Sequence, residues 1–221
     1  MNAFLAAINV EQMSEALWET LYMSMFSLVL AVVIGLILGI TLYLTDKGGL
    51  LTNKYASAII GSGVNIFRAM PYIILMIIMI PITKALTGSM LGAKAAVPSL
   101  IVAAAPFYAR LTVIALSEVD KGTVEASKAM GASTYQIITK VLLPESLPAL
   151  VSGVAVTGIN LVSYTAMAGA IGAGGLGQLA YLYGFVRQNN AVLYTATILI
   201  MIIVFAIQGL GDYLVKKIDK R

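Results

Sequence analysis

Residues 20–45 form a run of 26 positions without one charged side chain, and that run constrains the fold more than any other feature. A helix rises 1.5 Å per residue, so about 20 apolar residues cross the hydrocarbon layer of a bilayer. Lipid offers the backbone no hydrogen-bond partners, which leaves helices or closed barrels as the only spanning structures. The pattern recurs along the chain. Residues 57–83 are apolar but interrupted by Arg68 and Pro71, and residues 95–116 carry Pro98, Pro106 and Arg110. Residues 146–186 hold no charge, and 190–211 form a last apolar run. With 60% hydrophobic and 11% charged residues over 221 positions, the composition also belongs in lipid. The expectation is an all-α polytopic membrane protein, one domain over 1–221.

Charge sets the topology. With one span at about 146–169 there are five spans: 20–45, 57–83, 95–116, 146–169 and 190–211. One set of connections then carries Lys47, Lys54, Lys121, Lys128, Lys140, Lys216, Lys217, Lys220 and Arg221, against Lys84, Lys94 and Arg187 on the other side. The positive-inside rule makes the first set cytoplasmic, with the N-terminus outside and the C-terminus inside. A sixth span would send the basic tail outside, so residues 171–186 are expected to lie at the external face or dip into it. Trp18, Tyr181 and Tyr183 suit that interface. Only Glu11, Glu15 and Glu19 precede the first apolar run, so it is expected to stay in the mature protein rather than be cleaved.

The chain has no cysteine and no histidine, which excludes disulfides, thiolate nucleophiles, Cys/His metal sites and histidine proton relays. Its net charge of +4 is spread between apolar runs instead of forming a basic stripe, which argues against nucleic acid. Gly172, Gly174 and Gly177 satisfy G-x-G-x-x-G, but that fingerprint needs a strand before it and a βαβ unit around it. Glycines that let a backbone turn or pack closely are the better reading. Gly35 and Gly39 likewise form a small-x-x-x-small packing pair. No phosphate-loop motif occurs, so no nucleotide cofactor is assigned to this chain.

Residues 117–145 are too regular for a mere connector. Thr123 can cap a helix over 124–130 that ends at Gly131, where a left-handed cap suits glycine. Ser133 or Thr134 can start a second helix over 135–142, which Pro144 stops. Small residues at 126, 127, 129 and 132 keep the first helix slim, so a partner's groove could take it; a solvated hairpin is the competing reading.

This loop resembles the cytoplasmic signature of binding-protein-dependent ABC importer permeases: Glu-Ala-Ala, three residues, Gly, nine residues, then Ile-x-Leu-Pro. Here it reads Glu125-Ala126-Ser127, Gly131, and Val141-Leu142-Leu143-Pro144. Ser127 for Ala and Val141 for Ile depart from the pattern, and each keeps its size or character. The resemblance implies a coupling element that docks into a separate ATPase, carried by Glu125, Ala126, Ser127, Gly131, Leu143 and Pro144. It also implies a second copy of the permease, two ATPase subunits that bind the ATP and Mg, an extracytoplasmic substrate-binding protein, and a bacterial inner membrane location. Residues 65–71, 104–110 and 168–177 are similar to the permeases of methionine uptake transporters, which implies methionine of either hand as cargo. Related permeases for other amino acids or short peptides share parts of these motifs, so they stay open as alternatives.

Candidates for a translocation pathway are Arg68, Arg110, Asn160, Tyr164 and Met167. Both arginines sit several residues inside a span, toward its cytoplasmic half on this topology. Arginine in lipid is costly and often functional. Snorkelling to the inner headgroups, or bonding backbone freed by Pro71 and Pro106, is the plainer reading. Residues 157–167 carry Thr157, Asn160, Ser163, Tyr164 and Thr165, more polar groups than a lipid-facing helix needs. About half are expected to serve helix packing. Met167 is flexible and polarizable, which suits a pore closure. No Asp or Glu lies centrally in any span, and arginine does not titrate. A proton-coupled carrier is therefore the weaker class, and an ATPase-powered permease the stronger.

Overall fold

The computed structural model describes residues 9–219; Lys220 and Arg221 lie outside the described residues. Helix α1, Val10–Thr45, is 36 residues long, about 54 Å by its rise. It therefore extends well beyond a hydrocarbon layer of about 30 Å. Its first turns carry Glu11, Glu15 and Glu19, and Trp18 is exposed there. The Asn9 side chain caps it by accepting from the Gln12 N–H at 3.1 Å.

The second expected span is broken. Helices α2, Lys54–Ala69, and α3, Tyr72–Thr87, meet at a bend of 110° across Met70 and Pro71. Proline has no N–H and disfavours helical backbone in the residue before it, and Met70 is accordingly extended at φ −75°, ψ 128°. Each piece has 16 residues, about 24 Å, short of a full crossing. Pro81, Pro98 and Pro106, by contrast, stay inside helices.

Helix α4, Ala93–Ser117, runs parallel to α1, because α2 and α3 have brought the chain back. Gly35 and Gly39 make that pairing close: a Cβ on Gly35 would meet Ala105 O at 2.6 Å, and one on Gly39 would meet Ala109 O at 2.6 Å. The packing reading of this pair holds. Helix α5, Lys121–Ala129, is the short helix after α4.

Helix α6, Thr134–Ala170, begins twelve residues before the expected span at 146 and is continuous through Pro144. A π segment over Ile138–Leu142 explains why Pro144 does not end it. There the Leu143 N–H donates to Ile138 O, five residues back. That wider turn relieves the clash a proline ring otherwise makes with the carbonyl four residues earlier.

After α6 the chain turns through Gly172 and Gly174, and α7 starts as Gly175–Gln178 and widens into the π turn Leu179–Val186. It is too short to span. Helix α8, Asn190–Ile218, then returns antiparallel to α6, with Ala155 beside Gly211 and Gly158 beside Ile207. Residues 171–189 therefore leave and re-enter the bundle at one end. That end also holds the 88–92 turn, since the Gly92 N–H donates to Gly172 O at 3.0 Å. The 46–53 turn and α5 lie at the other end, which is called the hairpin end below.

Candidate functional site

Two groups of residues stand out: the α5–α6 hairpin and a polar cluster at the α2–α3 break. In the hairpin, Asp120 caps α5 in place of the expected Thr123. Its carboxylate accepts from the Thr123 N–H at 2.9 Å, so the helix starts three residues earlier than 124. Helix α5 ends where expected. Gly131 has φ +83°, left-handed backbone that glycine adopts without a Cβ penalty. Ser133 then opens α6 through a reciprocal capping box with Gln136, which satisfies two otherwise orphaned N–H groups.

Buried Leu116, Val119, Ile137 and Leu142 tie this hairpin to the ends of α1 and α4, with Ile40, Tyr43, Leu50, Val124 and Ala132 packed against them. The hairpin is thus a rigid extension of the bundle. Glu125, Ala126, Ala129 and Met130 face outward, Met130 at 81% exposure, with Tyr135 beside them at 73%. Ser127 faces inward, and its hydroxyl donates to Thr123 O at 2.8 Å. Ala132 also packs inward, so two of the four small residues expected on the docking face belong to the anchored side. Leu143 is half-buried and Pro144 exposed.

At the α2–α3 break, Tyr72 lies flat on Tyr164 of α6, ring centroids 4.7 Å apart and planes 12° from parallel. The Tyr72 hydroxyl is 3.2 Å from Ser99 Oγ and 3.6 Å from Met76 Sδ. Asn160 lies one turn before Tyr164 on α6, and Arg68 sits in the last turn of α2, four residues before Tyr72. Three of the five pathway candidates, Arg68, Asn160 and Tyr164, therefore converge, with Tyr72 and Ser99 added. Nothing in helical periodicity flags Tyr72; the proline break that turns it inward was the available signal. Met167 is 48% exposed on the same helix as Tyr164.

Arg110 does not join them. It is exposed near the hairpin end of α4, seven residues before Ser117, as the sequence reading of its depth anticipates. Arg68 departs from that reading. It precedes Tyr72 by four residues, and Tyr72 stacks on Tyr164, six residues before α6 ends at Ala170, so it lies toward the end opposite the hairpin. The bend lets α2 stop short of a full crossing, which leaves Arg68 at the break, away from the headgroups beside Lys54. Thr157 and Thr165 are buried and donate to carbonyls of their own helix at 2.7 Å, which makes them packing residues.

The glycine segment after α6 is also packing. A Cβ on Gly177 would meet Ala166 O at 2.5 Å. The Glu19 carboxylate accepts from the Gly175 N–H at 2.6 Å and Thr20 Oγ1 from the Leu176 N–H at 2.9 Å. The N-terminus of α7 is thereby occupied by α1 itself.

Residues 31–220 match the family model described as binding-protein-dependent transport system inner membrane component. The chain is 55% identical over 180 residues to the methionine import system permease protein MetP of Bacillus subtilis, covering 81% of each. It is 43% identical over 215 residues to the probable D-methionine transport system permease protein MetI of Vibrio cholerae, covering 97% of this chain and 96% of that one. Its backbone superposes with a TM-score of 0.93 and 44% identity on a chain of the MetNI methionine ABC transporter in an inward-facing conformation, covering 96% and 98% of the two chains. An amino acid ABC transporter chain at 16% identity and TM-score 0.72 shares the fold.

Proposed function

The chain belongs to the family of binding-protein-dependent transport system inner membrane components, and we propose that it forms the translocation pathway of a methionine importer. It is a multi-pass membrane permease subunit of the ABC type. Methionine as cargo is supported by the relatives named for methionine transport, two of which match four fifths or more of their own length. The observation that carries the mechanism is the α5–α6 hairpin, held rigidly to α1 and α4 while presenting Glu125, Ala129 and Met130 outward.

In this reading the hairpin end is cytoplasmic and each hairpin seats in an ATPase subunit. Glu125, Ala126, Ser127, Gly131, Leu143 and Pro144 form the coupling element, with Glu125, Ala126 and the Gly131 turn at the contact and Ser127 and Leu143 holding it in shape. Two copies of the chain enclose the pathway, lined by Arg68, Asn160, Tyr164 and Met167, with Arg110 nearer the cytoplasmic mouth. Closure of the ATPase pair on ATP and Mg pushes the hairpins together, and because they do not flex the helices tilt as bodies. A binding protein delivers cargo at the opposite end. The pathway then needs no tight site of its own, since a differential preference between two states is enough to move a ligand. The likeness to an inward-facing transporter supports reading this conformation as the one open to the cytoplasm.

The test is a cargo panel in proteoliposomes containing the permease, its ATPase and its binding protein. Labelled methionine accumulates on ATP, whereas leucine, glutamate and a short peptide do not. Accumulation of one of those three in place of methionine overturns the cargo and leaves only the importer class.

A further inference from the structure

Between the 46–53 turn and α5 lies a cavity of about 590 Å³, lined by residues including Lys47, Lys121, Lys128, Asp46 and Glu125. We infer that it is a binding site for the headgroup of an anionic phospholipid of the same leaflet, held by Lys47 and Lys121 against an apolar floor. Three ammonium groups face two carboxylates there, leaving one positive charge, which matches the single negative charge of a phosphodiester. Tyr43, Leu50, Val113 and Val124 supply the floor, and the Ser117 hydroxyl at its edge is committed to Val113 O at 2.7 Å.

Depth supports a lipid. Lys47 lies two residues past the end of α1, and Lys121 four past the end of α4. Both are thus just outside the hydrocarbon, in the layer where lipid phosphates lie. The uncharged run of α1 that ends at Thr45, with Val29, Val33 and Ile37 exposed, provides apolar surface for acyl chains. Basic pockets between helices at a membrane surface attract anionic headgroups, worth roughly 1 kcal/mol per lysine, or about fivefold in affinity. The walls come from two elements: the turn that folds back on α1, with the Leu51 N–H donating to Leu44 O at 3.0 Å, and α5. A headgroup bridging Lys47 and Lys121 would join the membrane surface to the hairpin proposed above to engage the ATPase. The inference rests on that reading for its consequence but not for the binding itself.

The experiment uses the permease with its ATPase in nanodiscs of phosphatidylcholine containing a minority of phosphatidylglycerol. Lipid still bound after mild detergent extraction is counted by native mass spectrometry. The intact protein retains phosphatidylglycerol in preference to phosphatidylcholine. The double variant Lys47→Gln, Lys121→Gln loses that preference by roughly 25-fold, at about fivefold per lysine. Lys140→Gln, outside the cavity, keeps it, and monodisperse elution shows that each variant is folded. Equal retention of phosphatidylglycerol by the double variant overturns the site. Displacement of the lipid by inorganic phosphate makes it a site for free phosphate and overturns the lipid. Because the readout is retained lipid, either failure leaves the importer reading untouched.

Discussion

At the residue scale, Gly131 separates a docking element from a passive turn. Its φ of +83° is a conformation that costs an ordinary side chain roughly 1–2 kcal/mol, more for a β-branched one, while asparagine adopts it readily. No atom lies within 4 Å of a Cβ placed there, so the effect is purely one of backbone. Gly131→Val should leave insertion intact and lower ATP-dependent uptake severalfold, while Gly131→Asn retains most of it; membrane level and uptake are measured together. Equal uptake in both variants would contradict the role of this turn. Gly131 and the Ser133 start were legible from residue type because caps are local chemistry. Asp120 was not, since Asp120 and Thr123 can each cap a helix start through the N–H groups that follow, and sequence does not say at which of the two the helix begins. The meeting of Tyr72 with Tyr164 was equally hidden, since 92 positions separate them and only the packed bundle joins them.

At the element scale, backbone proximity organises the bundle. Helices α1 and α4 approach through Gly35 and Gly39, where a Cβ would meet carbonyl oxygens. Overpacking of this kind costs about 1–3 kcal/mol. Gly39→Ala should therefore lower the melting temperature of the detergent-solubilised protein by several degrees. Gly209→Ala, on α8 with nothing within 4 Å of its Cβ, should leave it unchanged or raise it. A differential thermal scan checks both, and equal shifts would contradict the packing account. The spacing of these glycines made the pairing readable, but not its partner helix. The prolines were readable only as irregularities. Pro71 breaks a helix and Pro144 does not, because a π turn widens the backbone ahead of Pro144 and that adjustment leaves no mark in composition.

For the whole molecule, apolar run length and charge bias already implied the order of crossings. The structure agrees in bringing the 88–92 and 171–189 segments to one end and the hairpin to the other. The bend at Met70 and the course of α7 required tertiary contacts to see. The proposed orientation predicts that Arg187→Cys reacts with a membrane-impermeant thiol reagent from outside intact cells and Lys217→Cys does not. The natural absence of cysteine leaves no background, and the reverse pattern would invert the topology. The central claim, that this chain is a permease powered through its hairpin by a separate ATPase, is tested most directly by reconstituting it with and without that ATPase. Methionine accumulation should then be measured with binding protein present, under imposed proton and sodium gradients or with ATP. The account predicts accumulation only when the ATPase and ATP are both supplied. Accumulation driven by an ion gradient with the ATPase left out would contradict it.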